Sequence, residues 1–156
     1  MKYWLLKSEP ATFGIDDLGK AKQRTASWDG VRNYQARNFI RDEMRVGDQA
    51  FFYHSSCDVP GVAGIVRVVR EAYPDATAFQ RSHHHYDPDS DPKNPRWFMM
   101  DVRLERKFSR VVTLDELRNH ATGKLQDMLV LKRGNRLSIT PVTETEWQFI
   151  ESLVDA

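Results

Sequence analysis

The sequence predicts an α+β protein built on a curved or closed mixed β-sheet, in a single domain over residues 1–156. Strand-like runs are joined by short helical segments, without the regular strand–helix repetition of a parallel α/β fold. The length of 156 residues suits one hydrophobic core. No internal repeat, low-complexity tract or linker composition divides the chain. These observations together favour one domain with a mixed sheet.

Alternating apolar residues and turn signals define the elements of the first half. The helix is predicted by Ala36, Ile40 and Met44, which share one apolar face, and the hairpin by the turn at Pro60-Gly61. In order, we expect a strand over 2–7, a helix over 14–18, a polar loop over 19–30, a helix over 33–44, and paired strands over 49–54 and 62–70.

The second half follows the same logic after a long polar connection. Residues 71–95 contain four prolines, and a connection of this length is often functional or mobile. Strict alternation predicts a strand over 96–108. Capping-box spacing after Thr113 and Thr143 predicts two helix starts, with a strand over 137–140 between them.

Composition limits the compartment and the class of the protein. The chain is 40% apolar and 29% charged, as in an ordinary globular protein. No run has the length of a membrane span, and the start is too short and too quickly charged for a signal peptide. The single cysteine, Cys57, excludes an intramolecular disulfide and fits a reducing compartment, cytosolic or nuclear. We therefore predict a cytoplasmic protein without a membrane partner.

Net charge constrains any contact with nucleic acid. The chain has 23 basic and 22 acidic residues, for a net charge of +1. Proteins that bind phosphate backbones without selectivity usually have a large positive excess. If this chain binds nucleic acid, its basic residues must gather on one face and a specific pocket must supply much of the affinity.

The segment 28–38 combines residue types that suit a flat polar ligand. It contains Trp28, a turn at Asp29-Gly30, the guanidinium of Arg32 and the amide of Asn33, just where a helix begins. Stacking surface beside planar hydrogen-bonding groups is typical of nucleobase recognition. No nucleophile–base pair stands beside them. Trp28 lies in a polar loop and is either a core residue or a pocket wall, and the residues alone leave both interpretations open.

Six motifs in the chain together resemble the EVE domain over about residues 2–153. They are Lys7-Ser8-Glu9-Pro10, the run from Trp28 to Asn38, Tyr53-His54-Ser55, the run from Pro60 to Ile65, Arg96-Trp97-Phe98 and Asn135-Arg136-Leu137-Ser138. The resemblance implies a PUA-like fold, a small mixed β-barrel flanked by short helices and related to the YTH domains that read methylated adenine in RNA. It also implies a reader of modified bases in DNA or RNA, with an aromatic-walled pocket.

The resemblance assigns the pocket to particular residues. Trp28 and Trp97 are the candidate stacking walls, and Lys7-Ser8 matches the pair that YTH domains place beside the base. The predicted ligand-binding residues are Lys7, Ser8, Glu9, Trp28, Asp29, Val31, Arg32, Asn33, Tyr34, Arg37, Asn38, Tyr53, His54, Ser55 and Trp97.

Several of these residues also have a purely structural interpretation. Asn33 can be a helix N-cap, His54 a satisfied structural histidine, and Trp97 a packing residue on its strand. The row Arg37, Arg41 and Arg45 is either a solvated face or an edge that contacts phosphates. The same alternatives apply to the basic residues Lys132, Arg133 and Arg136.

No metal or cofactor is predicted. The run His83-His84-His85 lacks the spacing of zinc ligands, and adjacent side chains diverge from an extended backbone, so a solvated loop is expected there. Cys57 has no evident activating partner and is interpreted as an ordinary thiol.

Three functions of different classes remain. The leading hypothesis is a non-enzymatic reader whose partner is nucleic acid, DNA or RNA, with a modified base flipped into the pocket. The second is an enzyme that acts on modified nucleotides, with His54 or Glu9 as general base. The third is a protein-interaction module that uses the same groove. The modification itself is not specified by the sequence.

Overall fold

The computed structural model describes residues 1–155, which form six strands, five α-helices and several short 3₁₀ or π segments. The strands are β1 (Tyr3–Ser8), β2 (Thr25–Ser27), β3 (Gln49–His54), β4 (Gly61–Pro74), β5 (Phe98–Thr113) and β6 (Ile139–Val142). The α-helices are α1 (Pro10–Phe13), α2 (Ile15–Lys20), α3 (Tyr34–Asn38), α4 (Leu114–Arg118) and α5 (Glu144–Asp155). A π segment, Phe39–Glu43, directly continues α3.

The six strands form one mixed sheet in the order β2-β5-β4-β3-β1-β6. The pair β1–β3 is parallel, whereas β1–β6, β3–β4, β4–β5 and β2–β5 are antiparallel. The expected α+β class and mixed sheet are confirmed. A closed barrel is not formed among the described residues, because the short edge strands β2 and β6 pair only with β5 and β1. Register shifts in the β4–β5 ladder bend the sheet without closing it.

Both faces of the sheet are covered, which explains why successive residues of the central strands, which point to opposite faces, are apolar. On β1, Trp4 and Leu6 join one core cluster and Leu5 joins the other. Phe52 and Phe51 divide in the same way on β3. The first face packs against α2, α3 and the π segment, and the second against α4 and α5. Two thin cores therefore flank one sheet.

The element predictions hold best where the periodicity is longest. The helix expected over 33–44 appears as α3 with the π segment, and the hairpin as β3 and β4. The N-caps at Thr113 and Thr143 are confirmed by their hydroxyl oxygens, which accept from the N–H groups of Glu116 and Glu146, each at 3.1 Å.

Two expectations for irregular regions are wrong in part. The loop expected over 19–30 contains β2, whose three residues form a strand because β5 supplies its hydrogen bonds. The connection expected over 71–95 is shorter, since β4 runs to Pro74 and a 3₁₀ helix forms at Ala76–Phe79. Among residues 1–155, no helix is long and apolar enough to cross a membrane.

Candidate functional site

A cavity of about 740 Å³ opens where β1 ends, and we call it the Trp28 cavity. Its volume lies in the range of small-molecule and nucleobase sites. The lining residues are Lys7, Ser8, Glu9, Thr12, Phe13, Ala26, Ser27, Trp28, Asp29, Gly30, His83, His84 and His85. Three chain segments that are distant in sequence therefore meet at this site.

Trp28 serves both the core and the cavity. Its backbone N–H donates to the Met100 carbonyl at 2.7 Å, which continues the β2–β5 pairing by one residue. The indole is 8% exposed and meets the Phe52 ring edge-on, with centroids 5.5 Å apart. Sequence reasoning treated core and pocket as alternatives, but the ring is buried on one side and lines the cavity on the other.

The end of β1 supplies polar groups to the cavity. The Ser8 hydroxyl donates to the Phe13 carbonyl at 2.6 Å, so its oxygen remains able to accept a hydrogen bond. Burial lowers the pKa of the Lys7 ammonium. Glu9 is the N-cap residue of α1 and is exposed. One ammonium donor and two acceptors thus lie side by side.

Arg32 links the loop that follows β4 to the segment that contains Trp28 through hydrogen bonds to Asp75 and His85. Its guanidinium pairs with the buried Asp75 carboxylate at 3.0 Å and donates to the His85 carbonyl at 2.7 Å. Asp75 also accepts from the backbone N–H of Gly30 at 2.8 Å. Arg32, predicted to contact a ligand, therefore holds together the walls of the cavity.

The charge of Asp75 is stabilised despite its burial. Burial alone would raise the pKa of this carboxyl group, but bonds from Thr77, Gly30 and Arg32 outweigh it, and the pKa lies below its ordinary value. Asp75 is ionised at neutral pH and keeps its partners in place.

Gly30 allows His85 to lie directly on the backbone. The φ angle of Gly30 is +78°, a conformation that disfavours residues with a side chain. A Cβ at this position would overlap the His85 ring. Positive φ and close approach both require glycine here, and together they place an imidazole beside Trp28 in the lining.

The rings of the three histidines converge, whereas divergent side chains were expected. The backbone turns at 81–85 and brings the ring centroids of His83, His84 and His85 to 3.9 to 4.8 Å from one another; His83 and His84 are stacked, and His85 is tilted against both. Side chains diverge from an extended chain but not from a turn. Burial, then the neighbouring His84, lower the pKa of His85, so a neutral imidazole is favoured. The Nδ1 atom of His85 is buried without a hydrogen-bond partner among the described residues.

Donor atoms of the three histidines all lie within 4.8 Å of one another. Tetrahedral zinc with Zn–N bonds of about 2.0 Å holds its ligands roughly 3.4 Å apart, so an ion would have to draw the rings together. The absence of a metal stays a prediction.

Trp97 does not line the Trp28 cavity, where sequence reasoning placed it as an opposing wall. Its ring stacks on Tyr34, with centroids 5.0 Å apart and planes inclined by 24°. The indole N–H donates to the Asp87 carboxylate at 2.6 Å, and the Arg32 guanidinium lies 5.4 Å from its centroid. Phe13 and the histidines occur in the cavity lining instead. We call the pair of Tyr34 and Trp97 the aromatic stack.

The other predicted residues of the 28–38 segment lie away from the cavity, except Asp29. Asn33 caps α3 by accepting from the Ala36 N–H at 3.0 Å, and Val31 is buried in the core. Arg37 donates to the Arg96 carbonyl at 2.7 Å and to the Asn38 side chain at 2.9 Å. The contact of Asn33 supports its structural interpretation as a helix N-cap.

The Tyr53-His54-Ser55 motif divides between two places. His54 accepts from the Ile15 N–H through Nε2 at 3.1 Å, and burial lowers its pKa, so it is a satisfied structural histidine. Tyr53 and Ser55 line a second cavity, of about 710 Å³, which also includes Lys7. We call it the basic cavity. Lys7 is thus common to both cavities.

Nearly the whole chain matches one protein family, since the model of the EVE domain matches residues 2–153. The chain belongs to the EVE domain family. The resemblance in its motifs is thereby confirmed.

Relatives of this EVE domain are found in animals. Thymocyte nuclear protein 1 of Danio rerio is 48% identical, over 96% of this chain and 71% of the relative. Thymocyte nuclear protein 1 of Homo sapiens is 46% identical, over 97% of this chain and 73% of the relative.

Solved structures share the fold of this EVE domain closely. Human THYN1 in complex with 5-methylcytosine-containing DNA has a TM-score of 0.95 at 44% identity, covering 100% of this chain and 99% of that chain. A protein from Pseudomonas syringae has a TM-score of 0.92 at 43% identity, covering 97% of this chain and 99% of that chain.

Sequence reasoning missed part of the site of this EVE domain. Asp75 was not predicted, because a Pro-Asp-Ala run does not indicate that the carboxylate is buried. Phe13 lay in a short segment without clear periodicity. The histidine run was visible in the sequence, but only the turn of its backbone brings the three rings to the cavity.

Proposed function

We propose that this EVE domain binds DNA and reads 5-methylcytosine by holding the flipped base in the Trp28 cavity. The observation that carries the proposal is the Trp28 ring, which lines a cavity of about 740 Å³ beside Lys7, Ser8 and Glu9. The human THYN1 complex with 5-methylcytosine-containing DNA, at 44% identity, supports the choice of DNA and of this base. No chemistry on the base is part of the proposal.

The polar lining complements the edge of cytosine. Cytosine presents an N4 amino donor and the N3 and O2 acceptors once it leaves its pair. The carboxylates of Glu9 and Asp29 and the oxygen of Ser8 can accept from an amino group, whereas Lys7 can donate to the two acceptors. The lining therefore contains both kinds of partner that the base needs.

The apolar lining determines how much more tightly the cavity is expected to bind 5-methylcytosine than cytosine. Trp28 and the imidazoles offer planar surfaces on which a base can stack, a contact worth about 1–3 kcal/mol. Burial of one methyl group adds about 0.8 kcal/mol, which corresponds to roughly fourfold in affinity. We expect a modest preference for 5-methylcytosine over cytosine, superimposed on a larger contribution from stacking.

One observation weighs against the enzyme alternative. The Nε2 atom of His54, one of the two candidate general bases, already accepts from the Ile15 N–H, and of the two only Glu9 lines the Trp28 cavity. The chain is proposed to be a reader rather than an enzyme.

The test is a titration of matched oligonucleotides that differ only in one 5-methylcytosine. Wild type should prefer the methylated strand about fourfold, and Trp28→Ala should weaken binding of both strands by about 10- to 100-fold. Trp28→Phe keeps a ring and should lose less. Trp147→Phe, the same change in the other core cluster, is the matched control for stability. Equal affinities of wild type and Trp28→Ala for both strands would refute the proposal.

A further inference from the structure

The basic cavity contains positive charge that carboxylates do not neutralise. Its lining includes the cationic side chains Lys7, Arg118, Lys132 and Arg133, and no aspartate or glutamate. In a chain of net charge +1, this distribution is uneven. The lining thus gathers basic residues on one surface, as nucleic-acid binding by a nearly neutral protein requires.

Ion pairing elsewhere in the molecule makes the contrast clear. Arg67 pairs with Glu105 at 2.7 Å, Arg110 with Glu116 at 2.6 Å and Lys107 with Asp16 at 2.6 Å.

By contrast, Lys7, Lys132 and Arg133 form no ion pair within residues 1–155, and Arg118 has only Asp115, at 3.9 Å. The cavity therefore retains cations that an anionic ligand can engage.

The position of the basic cavity relates it to the Trp28 cavity. Lys7 lines both, because β1 ends between them, and its neighbour Ser8 accepts from the Ser55 N–H at 2.9 Å through its carbonyl. The parallel register places Lys7 opposite Tyr53. The two cavities therefore meet at Lys7.

We propose that the basic cavity binds phosphates of the DNA strand that flank the base held in the Trp28 cavity. This inference rests on the proposed function. The guanidinium of Arg133 can bind a phosphate through two parallel hydrogen bonds, and the ammonium groups of Lys7 and Lys132 act as point charges. Phosphate contacts fix the position of the strand and carry no sequence or methylation information.

The test compares the salt dependence of binding in two double variants. Lys132→Gln/Arg133→Gln removes two exposed cations of the cavity, and Lys22→Gln/Lys124→Gln removes two exposed cations that line neither cavity. Affinities are measured for single-stranded oligonucleotides with and without 5-methylcytosine, at NaCl concentrations between about 50 and about 200 mM.

The expected result distinguishes phosphate contacts, which position the strand, from recognition of 5-methylcytosine. The slope of log K against log salt should fall in magnitude by about 1.4 in Lys132→Gln/Arg133→Gln, with roughly tenfold weaker binding of both oligonucleotides. The ratio of the two affinities should not change. The control variant should keep the wild-type slope.

A slope equal to that of the control variant would overturn the phosphate proposal, and wild-type discrimination of 5-methylcytosine would then leave the proposed function intact. Conversely, a reduced slope without any methyl preference in wild type would support phosphate binding and contradict the reading of the base.

Discussion

The Trp28 cavity and the aromatic stack each contain a tryptophan, but they differ in what covers its ring. Trp28 is 8% exposed and Trp97 is 6% exposed, so burial alone does not distinguish them. One side of Trp28 lines an open cavity, whereas Trp97 is covered by Tyr34 and its indole N–H is bonded to Asp87. The ability of a tryptophan to bind a base thus depends on its neighbours more than on its exposed fraction.

Arg32 connects these two regions. Its guanidinium bonds the His85 carbonyl at the cavity and also lies 5.4 Å from the Trp97 ring. The segment 28–38, which the sequence predicts to be one binding surface, therefore contains a part that lines the cavity and a part that supports it.

The largest expected effect on stability is that of Arg32→Ala, which removes the link between the Trp28 cavity and the aromatic stack. Removal of the guanidinium leaves the buried Asp75 carboxylate without its ion partner, which should lower the free energy of unfolding by about 3 kcal/mol. Urea denaturation at pH 7 measures it. Arg41→Ala, whose partner Asp42 is exposed, should change the free energy of unfolding far less. Equal losses in the two variants would contradict the supporting role of Arg32.

A smaller effect is expected when the stack is opened by Tyr34→Ala. The Tyr34 ring is 53% exposed, so the loss should be confined to its contact with Trp97, about 1 kcal/mol in the free energy of unfolding. The preference for 5-methylcytosine should not change, because Tyr34 does not line the Trp28 cavity. If methyl discrimination disappears while stability is retained, the two regions act as one site.

The smallest expected effects concern the pH dependence of stability, to which His85 at the Trp28 cavity and Asp87 at the aromatic stack contribute in different pH ranges. The pKa of His85 lies below its ordinary 6.5 through burial, so the unfolded chain takes up a proton first as pH falls below 6.5. The contribution of His85 to stability is therefore present above pH 6.5 and is lost as pH falls through the folded pKa.

The pKa of Asp87 lies below its ordinary 3.8, chiefly through the bond from Trp97, so its contribution is present above 3.8 and is lost at lower pH. Urea midpoints at a series of pH values should show His85→Gln altering only the range below 6.5 and Asp87→Asn only the acid range. The opposite assignment of the two ranges would refute this separation.

Much of the fold was predictable because long apolar patterns dominate it. The central strands and the final helix repeat their apolar positions over many residues, so packing and local propensity agree. The edge strand β2 was not predictable, since its three residues depend on β5 for their hydrogen bonds. Of the two alternatives, a curved or a closed sheet, the described residues form the curved one, and the sequence could not decide between them because edge pairing is a long-range property. The single domain over residues 1–156 stays a prediction.

The candidate site was predictable in its anchor and less so in its walls. Trp28 and Lys7-Ser8 line one cavity as the motifs suggested. Trp97 was misplaced, because its alternation on the strand cannot tell whether another ring covers it. The convergence of the histidine rings was not predictable, because it depends on the backbone turn at 81–85. A pattern along the chain indicates residue types, whereas their grouping depends on backbone conformation.

The position of β1 between β3 and the edge strand β6 also has a consequence for biosynthesis. β1 precedes the other five strands along the chain, yet it pairs with β6, and the Lys7 N–H donates to the Ser138 carbonyl at 2.9 Å. Contacts between positions so far apart in sequence form slowly. A nascent chain that stops before residue 138 thus leaves one edge of β1 unpaired beside Lys7 and Ser8. We expect such a truncated chain to aggregate rather than bind DNA.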